Sequence, residues 1–223
     1  FDIFGTVVDW HGSIVREVNQ RFPQVDADAF ALAWRAGYQP AMEAVRSGGR
    51  GFVKLDVLHR EILDGLLPRF GLAHVSDGDR AELNRVWHRL AAWPDSVAGL
   101  TRLKTRFTIC SLSNGNLGLL TDMAKAAGLP WDCVLSAEVF QAYKPDPRVY
   151  RGAAGVFDAQ PGEVMMVAAH HDDLAAAREN GLQTAYIERP REFGAAHPKD
   201  VSPVAANTLH ARDLLHLADL LGC

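Results

Sequence analysis

At 223 residues, 48% hydrophobic and 22% charged, the chain is long and apolar enough to bury a sizeable core, which excludes an intrinsically disordered protein. A formal charge of −4, with no basic block or basic–aromatic interleaving, excludes nucleic acid as the main partner, and no stretch reads as a membrane span or a signal peptide. Cys110, Cys133 and Cys223 are scattered, odd in number and without a C-x-x-C pair, so reduced thiols in a cytoplasm are expected rather than a disulfide framework.

The opening run Phe1-Asp2-Ile3-Phe4-Gly5-Thr6-Val7-Val8-Asp9 reads as the end of a buried strand breaking into a tight turn, which places Asp2 at a strand's carboxyl end. A buried strand leading into Asp2 calls for residues ahead of Phe1, so the natural N-terminus is expected to lie outside this sequence. Residues 10–95 carry apolar side chains at helical spacing, among them Ile14, Val15, Val18 and Phe22, then Phe30, Leu32, Ala33 and Trp34, then Val57, Leu58, Ile62, Leu66 and Leu67. Breaks at Pro23, Ser47-Gly48-Gly49, Pro68 and Pro94 divide this stretch into about four or five helices, with no strand-like alternation between them.

Beyond Ser96 the pattern becomes strand and helix by turns. Strands are expected at 107–112, 133–135, 164–169 and 184–187, and helices at 117–127, 147–157 and 174–180. Residues 190–207 read as a loop, and 209–221 as a last amphipathic helix. This predicts an α/β protein: a Rossmann-like parallel sheet with helices on both faces, formed by 1–10 and 96–223, with a helical domain, 11–95, inserted after the first strand.

Ligands of an open parallel sheet bind at the carboxyl ends of its strands, and the polar residues of interest fall there. Asp2 in D-x-x-G-T reads equally as a turn cap or a site carboxylate, and Ser113-Asn114-Gly115, taken alone, reads first as a strand-to-helix turn and second as an anion cradle. Lys144 lies in the rigid run Tyr143-Lys144-Pro145-Asp146-Pro147, where a lysine is ordinarily just solvated. His170-His171-Asp172-Asp173 contains metal-ligand residue types, but four consecutive residues at a strand end cannot all face one ion.

In this order, F-D-x-F-G-T, S-N-G, K-P-D with Tyr150 downstream, and the acid Asp173 after the third strand of the alternating part resemble the haloacid dehalogenase superfamily, in the form of its type II 2-haloacid dehalogenases. The resemblance spans essentially the whole chain. It implies a helical cap over the site, Asp2 as nucleophile, Lys144 beside it, Thr6 with the catalytic set, and Asp173 orienting or activating water. It assigns Ser113 to the substrate carboxylate, Asn114 and the cap's Arg35 (in Trp34-Arg35) to the departing halide, and Ile3, Phe4, Tyr150 and His170 to substrate contact. Trp34 and Tyr38, with Phe4, are candidates for the apolar part of the pocket, though such rings lie in a core more often.

Two departures carry information. Phosphatases of the superfamily have a second Asp where this chain has Phe4, and an aromatic ring cannot supply the proton that a phosphate ester's leaving group needs, whereas halide leaves without one. Ala168-Ala169 stands where those enzymes carry Gly-Asp, so a magnesium ligand is lost; no metal and no cofactor are expected. Ala168 and His170 also replace a Ser and an Asn that help place water in the dehalogenases. The implied reaction is hydrolysis of short 2-haloalkanoic acids through an aspartyl ester, the alternative being a magnesium-dependent phosphatase. The partner is thus a small-molecule 2-haloacid, with neither nucleic acid nor membrane. Family members are often homodimers, and nothing in the apolar pattern locates an interface.

Overall fold

The computed structural model describes residues 1–48 and 51–223. After the first loop a short strand β1 (Val8–Asp9) enters helix α1 (Trp10–Arg21), whose first turn is capped by the Asp9 side chain accepting from Gly12 N. Helices α2 (Ala27–Ala36), α3 (Tyr38–Arg46), α4 (Leu55–Leu66) and α5 (Asp77–Asn84) follow, with 3₁₀ turns at Leu67–Phe70 and Arg85–Arg89. Asp26 and Ser76 cap α2 and α5 in the same way. Pro68 falls in the first 3₁₀ turn, where it ends α4, and α3 stops at Arg46; Gly49, part of the expected break there, lies outside the described residues.

The helical stretch is not free of strands. Ala91–Ala92 forms β2, which pairs antiparallel with β1 through Val8↔Ala92 and Asp9↔Ala91. This two-residue ladder carries no alternation that periodicity could register, yet it fastens the way into the helical block to the way out. Trp34, His59 and Trp87 form the block's inner wall, with His59 stacked 4.1 Å from Trp87 and Trp34 edge-on to Trp87 at 5.5 Å. Phe4, from the first loop, meets Trp87 edge-on at 5.8 Å, so an aromatic seam joins the block to the rest.

The remainder alternates as expected: α6 (Ser96–Lys104), β3 (Cys110–Ser113), α7 (Leu117–Ala127), β4 (Cys133–Ser136), α8 (Ala137–Phe140), α9 (Pro147–Val156), β5 (Met165–Ala168), α10 (His171–Glu179) and β6 (Gln183–Ile187). Strand β3 begins three residues later than the apolar run suggests, because Phe107 is an exposed residue and not a core one. The expected helix 209–221 is a strand and a helix: β7 (Leu209–Ala211) pairs with β6, and Asp213 then caps α11 (Leu214–Leu220) by accepting from His216 N. A three-residue strand inside a leucine-rich run is invisible to helical spacing.

β3 and β4 pair in parallel, as do β5, β6 and β7. Residues 1–3 run extended between the two groups: Phe1 N donates to Cys110 O (2.8 Å), Leu112 N to Phe1 O (2.7 Å) and Asp2 N to Val167 O (2.9 Å). The order is therefore β4–β3–(1–3)–β5–β6–β7. The start of the chain occupies the centre of the sheet, and the residues just past it emerge at the carboxyl edge between the loops after β3 and β5.

Candidate active site

Asp2 is 7% exposed, and each of its carboxylate oxygens is engaged differently. Oδ1 accepts from Lys144 Nζ at 3.0 Å. Oδ2 accepts from Thr6 Oγ1 at 2.9 Å and lies 3.2 Å from His170 Nδ1. Thr6 Oγ1 itself accepts from Ala169 N at 2.9 Å, which turns the hydroxyl hydrogen toward Asp2. Burial acts to raise the Asp2 carboxyl, but Lys144 and His170 outweigh it and hold the group well below the usual carboxylate range.

Lys144 is 8% exposed and reaches the site from the loop between α8 and α9. Its Nζ also meets Asp173 Oδ2 at 2.5 Å, while the other Asp173 oxygen accepts from Tyr150 Oη at 2.7 Å. Against burial, which would neutralise it, Asp173 and Asp2 hold the ammonium above its ordinary pKa. Asn114, just past β3, accepts from Lys144 N through Oδ1 at 2.8 Å, and its amide nitrogen donates to Met42 Sδ at 3.3 Å.

On the opposite side His170 bridges Asp2 and Glu192, with Nε2 2.8 Å from Glu192 Oε1. Glu192 is wholly buried, and its other oxygen accepts from Lys199 Nζ at 2.5 Å. The Glu192 charge and the bond to Asp2 overcome burial and push His170 up to about 9; His170 and Lys199 in turn hold Glu192 down at about 2.

These side chains face a cavity of about 140 Å³, room for a small organic acid, walled by Phe4 and Tyr38 on the apolar side and by Asp2, Asn114, Lys144, Tyr150, His170 and Asp173 on the polar one. Arg35 enters it from α2, with its guanidinium 4.1 Å above the Tyr38 ring and Nη1 buried with no hydrogen-bond partner among the described residues. A buried, partnerless guanidinium N–H is a seat for an anion. The residues present do not suit the magnesium of the related phosphatases. Phe4 and Ala169 stand at two ligand positions, and the Lys144 ammonium already lies between Asp2 and Asp173.

A family model of haloacid dehalogenase-like hydrolases matches residues 1–181. The chain belongs to this family. (S)-2-haloacid dehalogenase 1 of Pseudomonas sp. (strain CBS-3) is 32% identical over 202 residues, covering 88% of this chain and 87% of its own. Among solved structures, a defluorinating L-2-haloacid dehalogenase superimposes with a TM-score of 0.96 at 48% identity, over 100% of this chain and 94% of that one. A second L-2-haloacid dehalogenase does so with a TM-score of 0.94 at 43% identity, over 99% and 97%.

Of the residues singled out in this hydrolase by sequence, Asp2, Phe4, Arg35, Asn114, Lys144, Tyr150, His170 and Asp173 line one cavity. Thr6 is buried behind Asp2 and bonded to it. Ser113 and Ile3 lie outside the lining: both are buried, and Ser113 Oγ accepts from Gly115 N at 3.3 Å. Trp34 is also outside, spending its indole N–H on His59 O at 3.0 Å. Sequence reasoning missed Glu192, Lys199 and Arg189, the last of which donates through Nε to Thr6 O (2.9 Å) and pairs in fork fashion with Asp95 (2.7 and 2.9 Å). All of them lie in the loop that follows β6, where an acid or base among prolines gives no signal beyond that of a solvated loop.

Proposed function

We propose that the protein hydrolyses the carbon–halogen bond of short 2-haloalkanoic acids to 2-hydroxy acids, through an ester on Asp2. The observation that carries this reading is a buried, ionised Asp2 facing a small cavity that also holds the partnerless guanidinium of Arg35. The carboxylate attacks the halogen-bearing carbon from the side opposite the halide, which departs toward Arg35 and the side-chain amide of Asn114. Water beside Asp173 and Lys144 then attacks the Asp2 carbonyl carbon, so the substrate carbon is inverted once. The helical block, residues 11–95, acts as a cap that excludes bulk water from the ester. The relatives' names support 2-haloacids of the (S) series as substrates.

Phosphate transfer is the weaker reading, since Phe4 offers no proton to a leaving alkoxide. One single turnover in ¹⁸O-water with enzyme in excess tests the proposal. The label is expected in the Asp2 side chain after the first turnover; label in the hydroxy acid alone rules the ester out. A panel of chloro-, bromo- and fluoroacetate and both enantiomers of 2-chloropropionate, run with and without chelator, is expected to show halide release that chelation leaves unchanged.

A further inference from the structure

The two oxygens of Asp2 are not equivalent. Among the described residues Oδ1 accepts from Lys144 alone, whereas Oδ2 accepts from Thr6 and faces His170 Nδ1. The oxygen with fewer donors keeps more electron density and a lone pair for the substrate carbon, so Oδ1 forms the ester bond and Oδ2 becomes the ester's carbonyl oxygen. When water attacks that carbonyl, negative charge develops on Oδ2, between the Thr6 hydroxyl and the His170 ring.

His170 lies between two carboxylates, with Nδ1 toward Asp2 and Nε2 toward Glu192. Carboxylates only accept, so both ring nitrogens carry hydrogen and the ring is an imidazolium. The charged groups facing it are Asp2 and Glu192 in contact, Lys199 behind Glu192, and Lys144, Asp172, Asp173 and Arg35 around the cavity. Alkylation removes the charge on Asp2, and Glu192 is then the one carboxylate still holding the proton on the ring. Glu192 is itself fixed: Lys199 takes its second oxygen, and Gly5 lies so close that a Cβ there would sit 2.2 Å from Oε1.

We infer that His170 is a catalytic residue of the second step, donating from Nδ1 to the oxyanion that forms on Asp2 Oδ2, and that Glu192 is a positioning residue that keeps this donor protonated and aimed. The inference rests on the Asp2 ester proposed above. In the step concerned, water adds to the Asp2 carbonyl carbon and gives one proton to Asp173, and the carbonyl electron pair moves onto Oδ2. Collapse then breaks the bond between the Asp2 carboxyl carbon and Oδ1; Oδ1 leaves as the hydroxyl oxygen of the hydroxy acid and takes the proton from Asp173, and the regenerated carboxyl, made of Oδ2 and the oxygen of the water, releases its remaining proton to solvent. No co-reactant other than water is needed.

The test is single-turnover kinetics of the full chain with 2-chloropropionate from about pH 6 to about pH 10, resolving halide release from hydroxy-acid formation. The wild-type ester step is expected to fall as pH rises through the imidazole range, because a deprotonated Nδ1 no longer donates. His170→Ala is expected to slow the ester step by about 10²-fold, and halide release by much less, so that alkylated protein accumulates and is seen as an intact-mass adduct. His170→Asn, a neutral N–H donor, recovers part of that rate without the falling limb. Glu192→Gln moves the limb to lower pH.

An ester step in His170→Ala within about twofold of wild type, or equal slowing of both steps, overturns the assignment. So does an ester-step rate that rises with pH through the imidazole range, the mark of a general base. Should the variants fail to fold, the wild-type profile decides alone: a falling limb supports the assignment and a flat one overturns it. A wild-type enzyme that releases no halide sinks the Asp2 ester and this role together, whereas a normal halide burst with any contrary outcome sinks this role alone.

Discussion

Two arrays of buried charge flank Asp2 on the same plan. On one side an ammonium, Lys144, sits between the carboxylates of Asp2 and Asp173; on the other an imidazole, His170, sits between those of Asp2 and Glu192. The first opens on the cavity, where its groups can meet substrate and water, and the second ends in a wholly buried Glu192 closed off by Lys199. Isolated buried charges are costly, and here Lys144, His170 and Lys199 balance Asp2, Asp173 and Glu192. Arg35 adds a fourth cation and Asp172 a fourth acid to these groups, and the Arg35 Nη1 in the cavity is left without a hydrogen-bond partner among the described residues.

Removing the residue the arrays share has the largest effect. Asp2→Asn is expected to cut steady-state halide release by about 10⁴-fold or more, since an amide is a poor nucleophile, with circular dichroism unchanged. Breaking the open array with Lys144→Met leaves two carboxylates facing each other without their cation; urea unfolding should show a loss of about 3–5 kcal/mol together with lost turnover. Arg35→Lys replaces the fork by a point charge and is expected to lower kcat/KM by about 10²-fold while leaving stability near wild type. Equal rates for the variant and wild type across chloro and bromo substrates would make Arg35 a bystander.

The closed array is probed more gently. Gly5 has φ +81° and no space for a methyl group beside Glu192, so Gly5→Ala is expected to destabilise by about 1–3 kcal/mol. The pH dependence of Tm carries the smallest effect and has a defined sign. Glu192 sits at about 2 in the fold against an ordinary 4.5, so its contribution is present above the ordinary value and is lost as pH falls toward about 2. His170 sits at about 9 against 6.5, so its contribution is complete below 6.5 and is lost as pH rises through about 9. Glu192→Gln should flatten both flanks; unchanged flanks would mean that other groups set them.

The contrast also explains what was legible in the sequence. Lys144 and Tyr150 lie in a Pro-punctuated run six residues apart, Asp173 follows a strand, and each stands in a recognisable local pattern. Glu192 and Lys199 come from a loop that has neither period nor motif, and only the folded chain brings them to His170. The sheet was readable because apolar runs separated by helical spacing leave few alternatives. β2 and β7 were not, because strands of two and three residues are held by their partners and not by their own composition.

Arg189 makes a single guanidinium answer to two places at once. One nitrogen holds the backbone of the Thr6 turn, and the other two grip Asp95, where the chain returns from the helical block and whose carboxylate also accepts from Leu214 N. Warming that loosens this rivet frees the nucleophile's turn and the block's anchorage in the same event, so heat should silence the enzyme before it unravels the sheet.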